Sequence, residues 1–128
     1  MQTFLTEQPS LKEVETAAEI AVFNNKNAVN IVTDFKQTNP IVRKCIAEDI
    51  LGDKLSNEFE IFTKLNIPKF IIVGDADASV NSNYLEHVLN NSENYCEIFR
   101  FKNCGHYASL EKPNEFLLKL QRIAKKVF

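Results

Sequence analysis

Hydrophobic positions in the first half of the chain recur with helical spacing. Ser10-Leu11-Lys12-Glu13 has the form of a capping box, in which a serine hydroxyl and a glutamate carboxylate satisfy free backbone donors. Leu11, Val14, Ala18, Ala21 and Val22 follow on one face, which predicts a helix ending near Asn24. A second apolar set, Ala28, Val29, Ile31, Val32 and Phe35, fits another helix, while its β-branched content leaves a strand open. Asn39-Pro40 reads as an N-cap with proline in the first helical turn; Ile41, Val42, Cys45, Ile46 and Ile50 then form a stripe that should stop near Gly52. Ser56 should open a shorter helix carrying Phe59, Phe62 and Leu65.

At Ile67-Pro68 the pattern changes. Phe70 to Val73 is an unbroken apolar run between a proline and Gly74, as expected of a parallel strand covered on both faces. Tyr84, Leu85, Val88 and Leu89 form one face of a short helix, and Tyr95 to Phe101 reads as the next strand, giving a unit whose crossover should be right-handed. A closing helix starts at Pro113, with Phe116, Leu117, Leu120, Ile123, Ala124 and Val127 as its apolar stripe. The expected class is therefore α/β: a helical segment over 1–66, then strand-helix-strand-helix over 67–128. Two strands make a poor sheet, so further strands should come from another chain or a second copy.

Composition narrows the setting. The 128 residues carry a formal net charge of −2, with Lys and Arg scattered, so no footprint for a nucleic acid is present. No apolar run reaches membrane-spanning length. Cys45, Cys96 and Cys104 are three cysteines without disulfide-framework spacing, and no signal-like segment opens the sequence, which points to a reducing, cytoplasmic setting.

The candidate chemistry lies in two loops. Gly74-Asp75-Ala76-Asp77 follows one predicted strand and Cys104-Gly105-His106 follows the next; in a parallel sheet both loops leave the same edge, so Asp77 and His106 can converge. A carboxylate that accepts the imidazole Nδ1 proton fixes the tautomer and supports the imidazolium formed when Nε2 takes a proton from a nucleophile. The nucleophile is missing. With only Gly52, Gly74 and Gly105 in the chain, no Gly-x-Ser-x-Gly elbow can be written.

From about Asn66 to Val127 the chain resembles the α/β-hydrolase superfamily. The resemblance is carried by Ile67-Pro68 leading into the strand, Gly74 to Val80 as the acid loop, Gly105-His106 as the base loop, and Glu111-Lys112-Pro113 with Phe116 opening the last helix. It implies Asp77 as triad acid and His106 as triad base, and it makes the helices of 1–66 look like a cap or lid. Asn81 stands where proline is common, and the nucleophile-bearing half with its oxyanion hole is absent. The resemblance thus implies the C-terminal part of a longer hydrolase acting on an ester, amide or related small-molecule bond, without an organic cofactor, and inactive alone. Its partner is the missing N-terminal half or a second copy. The alternative is a non-catalytic interaction module built on the truncated fold.

Other constellations compete. Cys104 and Ser109 lie close enough to His106 in sequence to be considered as replacement nucleophiles. Asp75, Asp77, Ser79, Asn81, Asn83 and Glu86 take oxygen-bearing positions of a calcium loop, although Val80 occupies the glycine position. Cys96, Cys104 and His106 match no usual zinc spacing, so no metal is assigned. His87 should be a solvated surface residue, and Lys119, Arg122, Lys125 and Lys126 a solvated face of the last helix.

Overall fold

The capping box at Ser10 forms as expected: the Glu13 backbone N–H donates to the Ser10 hydroxyl, and the Ser10 N–H donates to the Glu13 carboxylate at 2.8 Å. It opens helix α1 (Leu11–Ala21) in a computed structural model that describes residues 2–52 and 54–128. Then come α2 (Ala28–Gln37), α3 (Pro40–Leu51), α4 (Glu58–Lys64), β1 (Lys69–Gly74), α5 (Ser82–Asn90), β2 (Cys96–Phe101), α6 (Ala108–Glu111) and α7 (Pro113–Val127). The architecture is mixed α/β and mostly helical. Its strands pair in parallel, with Lys69 opposite Cys96 and Gly74 opposite Phe101.

Several boundaries differ from the sequence reading for local reasons. Helix α1 stops at Ala21 rather than Asn24, because Val22 turns extended. The segment after Asn27, open between helix and strand, is helical, and its Ala28, Ile31 and Val32 are buried. Helix α4 is capped by Asn57, whose side chain accepts from the Glu60 N–H at 3.1 Å, and not by Ser56. The short α6 had no periodic signal of its own.

Two apolar clusters form. Val14, Ala18, Ala21, Val22, Ala28, Ile31 and Val32 join α1 to α2, with Tyr107 and Leu110 packed against them. Phe99, Phe101, Cys104 and Ala108 form the second, flanked by Phe70, Ile72, Phe116 and Ile123, so α7 lies on the sheet. The segment from Cys104 to Leu110 contributes to both clusters and joins them.

Backbone contact completes the join. A Cβ on Gly74 would lie 2.2 Å from the carbonyl oxygens of Cys104 and Gly105, and one on Gly105 would lie 2.6 Å from the Ala21 oxygen. Three stretches of main chain therefore stack without side chains between them: the end of β1, the loop after β2 and the end of α1. The Ala76 N–H donates to the Cys104 carbonyl at 3.0 Å, and the His106 N–H to the Ala21 carbonyl at 2.8 Å. Asn103, with φ of 51°, makes the left-handed turn that leads into this loop, a conformation asparagine tolerates.

The covering of the sheet differs from expectation. Phe70, Ile71 and Ile72 are only half-buried, so β1 is not enclosed on both faces. On α3 the stripe of Ile41, Val42, Ile46 and Ile50 stays exposed, and Arg43 and Lys44 tie the helix to neighbouring segments. The Arg43 guanidinium donates to the Thr38 and Glu7 carbonyls and lies 4.1 Å from the centroid of the Phe35 ring. On α7, Leu117 and Leu120 also remain exposed.

His87, Arg122, Lys125 and Lys126 are exposed as expected and Lys119 is half-buried, and several of them also touch aromatic rings. His87 stacks on Phe59, with ring centroids 5.0 Å apart. Lys119 and Arg122 extend over the Phe99 ring, and Lys126 lies over Tyr95 and bonds Glu97, so these cations shield aromatic surface of β2. Lys69 is buried, and its ammonium donates to the Leu65 and Thr63 carbonyls at the C-terminus of α4, where a cation is favoured.

The glycine stack predicts that Gly74→Ala and Gly105→Ala are each destabilising by about 1–3 kcal/mol or more, since backbone cannot retreat as a side chain can. Urea unfolding followed by circular dichroism checks this: midpoints equal to the parent's would mean that the stack relaxes freely.

Candidate functional site

The parallel register sends both loops from one edge of the sheet. The Asp75 N–H continues the ladder by donating to the Phe101 carbonyl at 2.9 Å, and its carboxylate receives the Cys104 N–H at 3.4 Å. These bonds tie the acid loop to the histidine loop before either candidate side chain is considered. Asp77 then bends back: its Oδ1 accepts the Ser79 N–H at 2.8 Å, an Asx-type turn that fixes the carboxylate plane.

The other carboxylate oxygen meets the histidine. Asp77 Oδ2 and His106 Nδ1 are 2.7 Å apart, so the two residues singled out in the sequence are hydrogen-bonded. An ionised carboxylate only accepts, which makes Nδ1 the protonated nitrogen and leaves Nε2 with its lone pair free. The Asp77 side chain is 4 % exposed and that of His106 35 %. A dry carboxylate with both oxygens engaged thus backs an imidazole that reaches solvent.

His106 lines a cavity of about 350 Å³ together with Thr16, Ala17, Ile20 and Ala21 of α1, Ser79 of the acid loop and Tyr107. The Tyr107 ring meets the imidazole edge-on, with centroids 5.3 Å apart. Burial, reinforced by the charges of Asp34 and Asp77, holds its phenol above the usual range, so the hydroxyl stays neutral beside the site. The cavity walls combine aliphatic and hydroxyl side chains with the charged Lys12 and Glu13 of α1.

The competing readings separate cleanly. Cys104 is fully buried, and burial, with Glu111 adding its charge, pushes the thiol up to about 11; it is absent from the cavity lining. Ser109 lines a different cavity, beside Phe35 and Arg43. Of the calcium-loop oxygens, those of Asp75 and Asp77 are engaged as above, Asn81 caps α5 through the Asn83 and Tyr84 N–H groups, and Glu86 pairs with Arg100. No group of three or more His, Cys, Asp or Glu among the described residues is arranged to hold a metal ion, Cys96, Cys104 and His106 included.

Sequence reasoning did not identify the α1 side chains of the cavity or a role for Glu111. The capping box located α1, yet only tertiary packing reveals that Val14 and Ala18 face the core while Thr16, Ala17 and Ile20 face the cavity. Glu111 entered the sequence reading only as one letter of the motif before Pro113. Its carboxylate in fact receives backbone N–H groups from two distant segments, Gly105 and Phe23-Asn24.

Two measurements check the site. Long-range proton–nitrogen NMR spectra should show His106 as the Nδ1–H tautomer and lose that bias in Asp77→Ala; an unchanged tautomer would mean the pair is not formed in solution. With Ellman's reagent at mildly alkaline pH, exposed Cys45 should react at once and Cys104 only on unfolding, whereas rapid reaction of Cys104 in folded protein would contradict its burial.

Comparison of the sequence with protein-family models and with curated proteins finds no match in either.

Proposed function

We propose that this chain supplies the acid–base pair of an α/β-hydrolase-type site acting on an ester, amide or related small-molecule bond. In this reading His106 is the general base, Asp77 orients it and compensates its charge, and the nucleophile comes from a polypeptide segment outside these 128 residues. The observation that carries the proposal is the 2.7 Å contact between a buried carboxylate and the Nδ1 of an imidazole whose other nitrogen has no protein partner among the described residues. Nε2 can take a proton from an attacking hydroxyl, thiol or water and return it to the leaving group, while Asp77 stabilises the imidazolium in between.

The sheet supports the need for another segment. The N–H groups of Lys69 and Asp75 both point to β2, and strand alternation then directs the main-chain groups of Phe70 and Ile72 to the opposite edge. No third strand lies there among the described residues. A parallel strand added at that edge would satisfy these groups, cover the half-buried Ile71 and Ile72, and bring its own C-terminal loop to the edge that holds Asp77 and His106.

A second reading, a non-catalytic interaction module, draws on the exposed apolar side chains of α3, from Ile41 to Leu51. Both readings require association, and chemistry separates them. In light scattering at micromolar concentration the isolated chain should appear as a dimer or larger species; a cooperatively unfolding monomer would remove the argument from the open sheet edge.

The isolated chain should hydrolyse 4-nitrophenyl acetate no faster than an equal concentration of free imidazole. A polypeptide joining these residues to a nucleophile-bearing half should turn it over, with His106→Ala and Asp77→Asn each lowering kcat by about three to four orders of magnitude. Saturable turnover by the isolated chain, lost in both His106→Ala and Ser79→Ala, would place the nucleophile inside the chain and overturn the divided site. A joined polypeptide indifferent to both substitutions would favour the non-catalytic reading.

A further inference from the structure

The loop that carries His106 is bound at Gly105 by the side chain of Glu111. Glu111 Oε1 accepts the Gly105 N–H at 2.7 Å, while Oε2 accepts the N–H groups of Phe23 at 2.8 Å and Asn24 at 3.1 Å. One carboxylate thus takes three main-chain donors from two segments: the residue directly before His106, and the turn that follows α1. The nearest alternative acceptors are already engaged, since the Cys104 carbonyl receives Ala76 and the Ala21 carbonyl receives His106. Glu111 is therefore the group that meets the remaining donors of this junction.

We infer that Glu111 is a positioning residue for the Asp77–His106 pair, clamping the Gly105-His106 peptide to the end of α1 so that Nδ1 stays within reach of Asp77. Rotation of that peptide is restrained at both of its flanking amides, by Glu111 at Gly105 and by the Ala21 carbonyl at His106. Without the first restraint the imidazole swings on the second, and a hydrogen bond of 2.7 Å does not survive a displacement of an ångström. The absence of a Cβ on Gly105, which permits the close approach to Ala21, Val22 and Phe23, is the steric counterpart of the same clamp.

The clamp also links the cavity to the pair. Helix α1 presents Thr16, Ala17 and Ile20 to the cavity, and its last turn and the residues just after it bind Glu111 and His106. A ligand that shifts α1 therefore shifts the base. This consequence for turnover rests on the proposed function, whereas the clamp itself is tested without any turnover, so failure of one is distinguishable from failure of the other.

The test compares the parent chain with Glu111→Ala and Glu111→Gln, the latter keeping the volume and one acceptor oxygen. Folding is followed through the amide spectrum of α5 and β2, positioning through the His106 tautomer, and the clamp through amide exchange at Gly105, Phe23 and Asn24. In folded Glu111→Ala the three amides should exchange about tenfold faster or more, and His106 should fall from the Nδ1–H form to a mixture. Glu111→Gln should be intermediate in both. A purely structural role would change exchange and melting temperature but leave the tautomer of the parent. That result in Glu111→Ala overturns the inference, and if Glu111→Ala does not fold, a parent-like tautomer in Glu111→Gln overturns it equally.

Discussion

The structure depends on a close stack of three backbones, in which the end of β1 touches the loop after β2 and that loop touches the end of α1. Gly74 and Gly105 make the approach possible, and no side chain fits between the layers. The main-chain donors along this stack are paired with acceptors. The Ala76, His106, Gly105, Phe23 and Asn24 N–H groups find theirs in the carbonyls of Cys104 and Ala21 and in the Glu111 carboxylate. Around this polar seam the two apolar clusters are arranged, one on each side. The short chain thereby avoids having two small cores that fold independently, each too small to be stable alone.

The sequence was informative wherever the deciding interaction is local. Ser10 and Glu13 are three residues apart and Asn39 precedes Pro40 directly, so capping chemistry located the starts of α1 and α3. Asp77 and His106 were legible together because both follow strands that could be recognised as apolar runs, and parallel neighbours deliver their loops to one edge. The end of α1 was misjudged for the opposite reason. Val22 and Phe23 continue a helical apolar pattern, yet the Phe23 and Asn24 N–H groups leave the helix to meet a carboxylate 88 and 87 residues away. Nothing near Phe23 announces such a partner.

The charged helix faces were legible, but not the rings they touch. His87 and the basic residues of α7 lie on polar helix faces, which by pattern alone face solvent. They do face solvent, and the rings they touch come from elsewhere: Phe59 of α4 for His87, and Phe99 and Tyr95 at β2 for Lys119, Arg122 and Lys126. The α3 stripe shows the converse. Its periodicity predicted the helix correctly, but periodicity reports only that a helix has an apolar face, and Ile41, Ile46 and Ile50 have no covering element among the described residues.

The unequal exposure of the two paired side chains bears on how a proton can move. Asp77 is sealed, with one oxygen on a backbone amide and the other on Nδ1, while His106 opens to the cavity. Exchange with water therefore runs through Nε2, and the carboxylate acts from behind as a fixed counter-charge. A molecule in the cavity meets the edge of an imidazole, a neutral phenol and hydroxyl groups, with Lys12 and Glu13 of α1 also on the wall. When the ring gains a proton, the positive charge faces the cavity and its compensation lies on the far side, so the pair presents a switchable dipole whose positive end points at whatever is bound.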